Sequence, residues 1–308
     1  MTRPIILGIV GDSAAGKTTI SEGLVDLLGG EQVTHVATDD YHRYDRTERK
    51  EHDITPLHPE CNYMDIMTQD LAQLRQGKAI LKPVYHHDDG TLGRPEYIVP
   101  RPFAVVEGLL GYHTDELRDL YDVRVFLAPP EDLRRTWKIK RDTSKRGYSE
   151  DEVKADMQKR EPDSEEFIRP QRHYADMEIQ FLEGDGGEDR LDVEVVLRGT
   201  LEHPDLSPFL EFSGEGIEVD EESDQTRVRF PGNIDHDHAM KIQESIWEKL
   251  SFASHLRSDR LGLLGSGDDA KRSDTLGLVQ LLVVYHLATA KATVALGGTG
   301  ARNEDQEP

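Results

Sequence analysis

Residues 11–18 read Gly-Asp-Ser-Ala-Ala-Gly-Lys-Thr and match the phosphate-binding pattern G-x-x-x-x-G-K-[ST] at every fixed position. The octapeptide stands between the apolar run 5–10 and the amphipathic run 19–28, so it joins a predicted strand to a predicted helix. Its two glycines permit the unusual dihedrals that let backbone N–H groups converge on a polyphosphate. We therefore predict that this loop binds a nucleoside triphosphate.

The loop supplies three kinds of phosphate contact. Lys17 can reach the β- and γ-phosphate oxygens, and the Thr18 hydroxyl can bind Mg²⁺. The helix that begins here also points its positive N-terminal end at the phosphates. The predicted nucleotide-binding residues of this stretch are Gly11, Asp12, Ser13, Ala14, Ala15, Gly16, Lys17, Thr18 and Thr19.

Composition limits the class of protein and its partners. With 308 residues, 36% of them hydrophobic, the chain can form one large α/β domain with a smaller appendage. The net charge of −23 argues against nucleic acid or an anionic membrane as the main partner. Cys61 is the only cysteine, so no intrachain disulfide can form and the reduced cytoplasm is the expected location.

Two further features bear on location. A strand is predicted within five residues of Met1, so we expect no signal peptide. The longest apolar run, around 276–288, looks too short and too interrupted to span a bilayer. We therefore expect no membrane association.

A pair of aspartates follows the second predicted strand, residues 33–38. In an open α/β sheet, ligands lie beyond the carboxyl ends of the strands, so Asp39 and Asp40 should stand near the phosphates. A kinase needs such a carboxylate to accept the proton of the attacking hydroxyl. The alternative is that Asp39 caps a helix and Asp40 is solvated.

A second carboxylate ends the apolar segment 103–108. Glu107 is placed as an acidic residue that an apolar strand carries to the phosphate site, where it orients Mg²⁺ directly or through water. We predict Thr18 and Glu107 as the metal-binding residues.

Residues 43–62 are locally basic in an acidic chain, with cations and histidines at Arg43, Arg46, Arg49, Lys50, His52 and His58. Such a patch suits an anionic substrate, and a solvated loop is an equally open alternative. The segment 85–91 is predicted as a loop or hairpin turn and carries Tyr85, two histidines and two aspartates. Because no second cluster stands at metal-ligand spacing, substrate contact or a solvated turn is favoured over a metal site.

Later segments complete the predicted architecture. Pro130 starts a long helix on which Lys138 and Arg141 share a basic face, which suggests a lid over phosphates. After Gly184 the pattern changes to alternating strands and then two helices. We predict an α/β fold with a mainly parallel sheet flanked by helices over 1–183, an extension of antiparallel strands and helices over 184–296 that is continuous with this core, and a flexible tail over 297–308.

Taken together, these segments resemble the phosphoribulokinase and uridine kinase family, most closely its plant and cyanobacterial phosphoribulokinases. The resemblance runs from Ile5 to about Ala290, and the stretches that carry it, besides the loop, are 39–42, 57–62, 106–108, 137–142 and 168–176. It implies a P-loop NTPase kinase fold, ATP and Mg²⁺ as cofactors, a sugar phosphate as substrate and a homodimer. The reaction implied is phosphorylation of D-ribulose 5-phosphate to ribulose 1,5-bisphosphate.

The resemblance also assigns roles to residues of this chain. It implies that Asp39 is the general base and that the catalytic group also includes Lys17, Glu107 and Arg141. It places Arg146 on the nucleotide. The residues expected to contact the sugar phosphate, from the resemblance and from the turn at 85–91, are His42, Arg46, Lys50, Tyr85, His86, Lys138 and Arg141.

Two alternatives stay open. The nearest is a uridine kinase or another small-metabolite kinase on the same scaffold. A nucleotide-binding regulator without catalysis is a second, although the joint presence of Lys17, Thr18, Asp39 and Glu107 speaks against it. The chain also lacks the regulatory cysteines of the plant enzymes, since Ala14 and Ala15 occupy the loop and Thr38 precedes the aspartates, so redox control of that kind is not expected.

Overall fold

The structure, a computed structural model, describes residues 3–184, 190–211, 216–250, 256–264 and 271–300. Its helices are α1 Lys17–Leu28, α2 Arg46–Glu51, α3 Met64–Arg75, α4 Asp115–Arg118, α5 Glu131–Lys145, α6 Glu150–Asp163, α7 Ser207–Leu210, α8 His236–Lys249 and α9 Asp274–Ala295. Its strands are β1 Ile5–Gly11, β2 Val33–Ala37, β3 Ile80–Lys82, β4 Tyr85–His86, β5 Thr91–Leu92, β6 Glu96–Ile98, β7 Phe103–Gly108, β8 Val123–Leu127, β9 Met177–Leu182, β10 Asp192–Arg198, β11 Glu218–Glu221, β12 Gln225–Phe230, β13 Leu263–Leu264 and β14 Lys271–Arg272.

One sheet of eight strands organises the molecule, in the order β11-β12-β10-β9-β8-β1-β7-β2. The five strands from β9 to β2 run parallel, while β10, β11 and β12 pair antiparallel. All seven residues of β1 are buried, as an apolar run covered on both faces requires. The prediction of a mainly parallel sheet extended by antiparallel strands is confirmed.

The side chains of β1 alternate between two cores, because successive residues of a strand point to opposite faces. Ile5, Leu7 and Ile9 join the core that α1, α8 and α9 cover. Ile6 and Val10 join the core beneath α3, where Met67, Leu71 and Leu74 form the helical stripe that the sequence predicted. Helices thus flank the sheet on both sides.

Local signals at helix ends are also confirmed. The Ser149 hydroxyl accepts from the backbone N–H of Glu152, whose side chain accepts from the Ser149 N–H, so the predicted capping box opens α6. An equivalent box that the sequence analysis did not identify opens α2 inside the basic segment, between Asp45 and Glu48. The short strands β3 to β6 were likewise not predicted individually.

Helix α9 corrects the prediction that the apolar run near 276–288 is too short to span a bilayer. The helix is 22 residues long, and with a mean hydropathy of 1.4 over 18 of them it is long and apolar enough to span a membrane by length and composition alone. In the structure 61% of those residues are buried, and α9 packs against α1, α8, β1 and β10. The threonines, alanines and Lys291 that continue the helix beyond 288 made the apolar run look shorter in sequence than the helix is. Here α9 is a core helix.

The C-terminal part of the chain is joined to the rest through the sheet. Strand β10 pairs with β9 from Asp192↔Leu182 to Leu197↔Met177. Of the tail predicted as flexible, residues 301–308 lie outside the described residues, whereas Arg3 donates a hydrogen bond to the Thr299 carbonyl.

Candidate active site

The glycine-rich loop connects β1 to α1, as the motif requires. Gly16 takes the left-handed conformation, with φ 96°, immediately before α1. A Cβ at Gly11 would lie 2.6 Å from the Leu127 carbonyl oxygen, so the loop fits closely against the end of β8. Lys17 Nζ donates to the carbonyl oxygens of Gly11 and Asp12, each at 2.9 Å. The ammonium group is therefore held inside the curve of the loop.

Charges around Lys17 partly offset the effect of its burial. Burial lowers the pKa of Lys17, and the negative charges of Asp39, Glu107 and Asp12 act in the opposite direction without cancelling it. Three carboxylates therefore lie around the one lysine that the motif assigns to the phosphates.

Residues outside the loop fix its conformation. Asp12 is buried and accepts from the Ser13 N–H at 2.6 Å and from the Ser164 hydroxyl. Arg134 forms an ion pair with Asp12 at 3.6 Å and donates to the Ser13 carbonyl at 3.0 Å. Arg141 donates to the Ser13 hydroxyl at 3.3 Å. The Asp12 side chain, predicted among the nucleotide contacts, thus holds the loop itself.

Thr18 and Glu107 meet because β1 and β7 are parallel neighbours in the sheet. The Thr18 hydroxyl oxygen lies 3.3 and 3.5 Å from the two carboxylate oxygens of Glu107. An all-oxygen pair of this kind fits Mg²⁺, a hard cation that prefers oxygen ligands and retains several waters. His35 on β2 also lies 3.4 Å from Glu107, a neighbour that the sequence analysis did not identify.

Asp39 follows β2 in a short 3-10 turn, residues 38–41, with its side chain 32% exposed. His87 Nε2 lies 3.6 Å from its carboxylate. Burial raises the pKa of Asp39, but the basic groups around the carboxylate outweigh burial and hold its pKa below the usual value; these groups are His42, His87, Lys17 and Arg146. Asp39 is therefore ionised at neutral pH and lies near the cations Lys17 and Arg146.

Asp40 points to different partners. One carboxylate oxygen forms an ion pair with the buried Lys82 ammonium. The other accepts from the backbone N–H of Tyr85 at 2.9 Å. Of the two adjacent aspartates, Asp39 is thus the one whose carboxylate is available to an acceptor hydroxyl.

The predicted substrate residues of the basic segment are placed differently from one another. His42 is 3% exposed, and its Nδ1 lies 2.7 Å from the side-chain oxygen of Asn62, so Nδ1 carries the proton and donates. Burial lowers the pKa of His42 to about 4. Arg46 donates through its guanidinium to the His87 carbonyl at 2.6 Å, whereas Lys50 is exposed.

The segment 85–91 forms a hairpin of β4 and β5. Of the two predicted alternatives, a loop or a hairpin turn, the hairpin turn is confirmed. Tyr85 is buried and its ring packs edge-on against His42, with ring centres 4.8 Å apart. His86 is exposed, and it is the next residue, His87, that approaches Asp39. The sequence marked the cluster, but a two-residue strand carries too little alternation to show which histidine faces Asp39.

Helix α5 and the residue that follows it carry three predicted cations of the site, Lys138, Arg141 and Arg146. The pKa of Arg146 is lowered by its burial, with Asp39 among the nearby charges that oppose this shift. Lys138 is 2% exposed, and its ammonium lies 2.7 Å from Asp142 and 3.7 Å from Asp156. Two carboxylates thus hold the Lys138 ammonium between α5 and α6, and its contact with the sugar phosphate stays a prediction.

Two clefts border these groups. One adjoins Asp39 and is lined by Thr38, Asp39, Asn62, Met64, Met67, Leu109 and Leu110. Another lies between the loop and α5–α6 and is lined by Asp12, Ser13, Leu57, Arg134, Lys138, Met157, Arg160, Glu161 and Ser164.

Sequence comparisons identify relatives of this chain. The profile of the "Phosphoribulokinase / Uridine kinase family" matches residues 6–185, more than half of the chain. The chain is 38% identical over 182 residues to a phosphoribulokinase of Synechocystis, covering 59% of this chain and 55% of that protein. It is 30% identical over 198 residues to a uridine kinase of Lactiplantibacillus plantarum, covering 63% and 93%. It thus spans about half the length of the cyanobacterial relative.

The fold has its own counterpart among solved structures. Phosphoribulokinase from "Rhodobacter spheroides" superposes with a TM-score of 0.61 at 18% identity, covering 82% of this chain and 99% of the other. At that identity the likeness concerns the fold alone. Because the sequence profile ends at 185, the similarity of the C-terminal part to the plant type stays a prediction. Loop, strand order and sequence profile agree, and the chain belongs to the phosphoribulokinase / uridine kinase family.

Proposed function

We propose that the protein is a phosphoribulokinase, which transfers the γ-phosphoryl group of ATP to the 1-hydroxyl of D-ribulose 5-phosphate. One observation carries the proposal: an ionised, partly exposed Asp39 lies near the cations Lys17 and Arg146 and beside His87, next to a phosphate-binding loop. A phosphorylated acceptor brings a dianion that needs such groups, whereas a nucleoside does not. The identity with a cyanobacterial phosphoribulokinase supports the same acceptor.

The chain's residues divide the work of this reaction. Asp39 accepts the proton of the attacking hydroxyl, whose oxygen forms a bond to the γ-phosphorus as the bond to the bridging β-phosphate oxygen breaks and ADP leaves. Lys17 stabilises the charge on the phosphates, and Arg141 and Arg146 hold the transferring group away from water. Thr18 and Glu107 would hold Mg²⁺, which neutralises developing charge on the phosphate oxygens.

The runner-up is a uridine kinase. It is favoured by the 93% coverage of the Lactiplantibacillus enzyme, against about half for the phosphoribulokinases. The two functions differ in the acceptor, so one assay separates them: ADP formation from ATP with ribulose 5-phosphate, uridine and cytidine offered side by side. Turnover of ribulose 5-phosphate alone is expected. Turnover of a nucleoside alone would assign the uridine kinase reaction, and no acceptor-dependent ADP release would leave a nucleotide-binding regulator.

We also propose a homodimer in the cytoplasm, without nucleic-acid or membrane partners. The resemblance to the plant-type enzymes supports the dimer, and the charge of −23 supports the absence of anionic polymers as partners. Light scattering during size-exclusion chromatography measures the mass directly, and a monomer mass would reject the dimer. For domains we propose a kinase core at 1–183 and an extension at 184–296 that shares its sheet through β9 and β10.

A further inference from the structure

We propose that Lys82 is a positioning residue for phosphoryl transfer. Through Asp40 it fixes the hairpin 85–92, and that hairpin holds His87 against the base Asp39. The inference rests on the proposed function, because it concerns how the acceptor end of the same site is held.

Burial shows that the Lys82 ammonium has a specific partner. The residue is 5% exposed, and lysine is almost never buried unless its charge is paired. Its Nζ forms the ion pair with Asp40 and donates to the Pro83 carbonyl at 3.1 Å. A second carboxylate, Glu96, lies farther away at 4.0 Å and its side chain is 61% exposed, so solvent screens it. Asp40 is therefore the partner that matters.

The Asp40–Lys82 pair acts on the hairpin from one side. The second oxygen of Asp40 accepts from the Tyr85 N–H at 2.9 Å, at the residue where the hairpin begins. From the other side, Arg46 donates through its backbone N–H to the Gly90 carbonyl at 2.8 Å and through its guanidinium to the His87 carbonyl at 2.6 Å. The hairpin is thus fastened at both ends of the segment that carries His87.

The same pair also acts on the base directly. Asp40 stands next to Asp39 in the 3-10 turn 38–41, so an anchored Asp40 limits how that turn can move. Lys82 therefore influences both members of the His87–Asp39 pair, one through the hairpin and one through the turn. Small displacements of a catalytic group reduce rates strongly, because reacting atoms must meet at short distance and in the right orientation.

The test compares three variants in steady-state kinetics. Lys82→Met removes the charge and keeps much of the apolar stem, and it should lower kcat/KM for ribulose 5-phosphate on the order of tenfold. The KM for ATP should stay within about twofold, since the loop contacts are untouched. Lys82→Arg keeps a cation for Asp40 and should retain most of the activity. Glu96→Gln, the matched control on the exposed carboxylate beside the same lysine, should equal wild type.

A second measurement does not depend on activity. Backbone amide exchange of Tyr85, followed by NMR, reports the hydrogen bond to Asp40, and Lys82→Met should lose protection there while α1 keeps it. If Lys82→Met does not fold, Asp40→Asn removes the charge of the pair instead, and the same kinetic and exchange changes are expected. An inactive wild type would reject the proposed function. The exchange measurement would still decide whether Lys82 holds the hairpin through Asp40.

Three results would overturn the proposal. Unchanged acceptor kinetics in Lys82→Met would show that the pair is dispensable. A similar rise in the KM for ATP and in the KM for ribulose 5-phosphate would show general damage to the site rather than a loss of positioning at the acceptor end. Unchanged protection of Tyr85 would break the link between Lys82 and the hairpin.

Discussion

Replacing Asp39 by Asn should stop phosphoryl transfer while leaving the protein folded. The substitution keeps the size of the side chain but removes its ability to accept a proton. Because the side chain is 32% exposed and its ion pair with His87 spans 3.6 Å, little packing is lost. The effect should therefore fall on kcat rather than on the free energy of unfolding.

The size of the effect follows from the role. Loss of a general base lowers kcat by roughly 10² to 10⁴, which corresponds to about 3 to 5 kcal/mol of transition-state stabilisation. The pKa of Asp39 is held below its ordinary 3.8, so the base is already ionised at neutral pH. Titration of Asp39 should therefore not change the wild-type rate above about pH 5. The rate should fall only at lower pH, where Asp39 becomes protonated as the pH passes through its lowered pKa.

Coupled measurement of ADP release at saturating ATP, with ribulose 5-phosphate varied, gives both constants. Asp40→Asn is the matched control, because it makes the same chemical change one residue away. Its loss should be on the order of tenfold, together with a lower melting temperature, since buried Lys82 loses its partner. Equal losses in kcat for the two variants, or a larger loss for Asp40→Asn, would refute the assignment of Asp39 as the base.

Four further predictions concern other residues of the site. Lys17→Ala should abolish turnover while the protein stays folded, and retention of a tenth or more of kcat would contradict the role of the loop. Arg46→Ala should raise the KM for ribulose 5-phosphate about ten- to a hundredfold while the KM for ATP stays constant. A change in the KM for ATP alone would show that Arg46 does not bind the sugar phosphate. Because burial raises the pKa of Cys61 to about 11, oxidised dithiothreitol should not inactivate the enzyme, and an inactivation abolished by Cys61→Ser would reject this. Burial lowers the pKa of His42 from 6.5 to about 4, so the folded state binds fewer protons than the unfolded chain and stability should fall by up to about 3 kcal/mol as pH drops from 6.5 towards 4. Urea unfolding at several pH values should show that loss in wild type and a smaller one in His42→Gln.

The central sheet and the two carboxylates could be predicted because their signals are local. Apolar runs ending in Asp39 and Glu107 mark strands, and parallel strands place their carboxyl ends at one edge of the sheet. The loop motif then identifies that edge as the phosphate side. No knowledge of distant contacts is needed for any of these steps.

The remaining parts of the site depend on pairings that a sequence does not display. Lys138 looks like any cation on a helix, and only the packing of α5 on α6 shows that two carboxylates bury it. Lys82 is separated from Asp40 by 42 positions, so its role becomes visible only when the hairpin is folded back. His35 and His87 were missed for the same reason, since each reaches its carboxylate from another element.

The outermost strand, β11, has a consequence for how copies of this protein behave at high concentration. Within the described chain the sheet ends there, in the residues Glu218, Val219, Asp220 and Glu221. Toward β12, Glu218 stands opposite Arg229 and Asp220 opposite Arg227, so the acidic strand is attracted inward. Within the described residues no strand pairs with its outer edge, and the carboxylates of two such edges would repel each other. The acidic residues of β11 therefore disfavour edge-to-edge pairing of two copies at this end of the sheet.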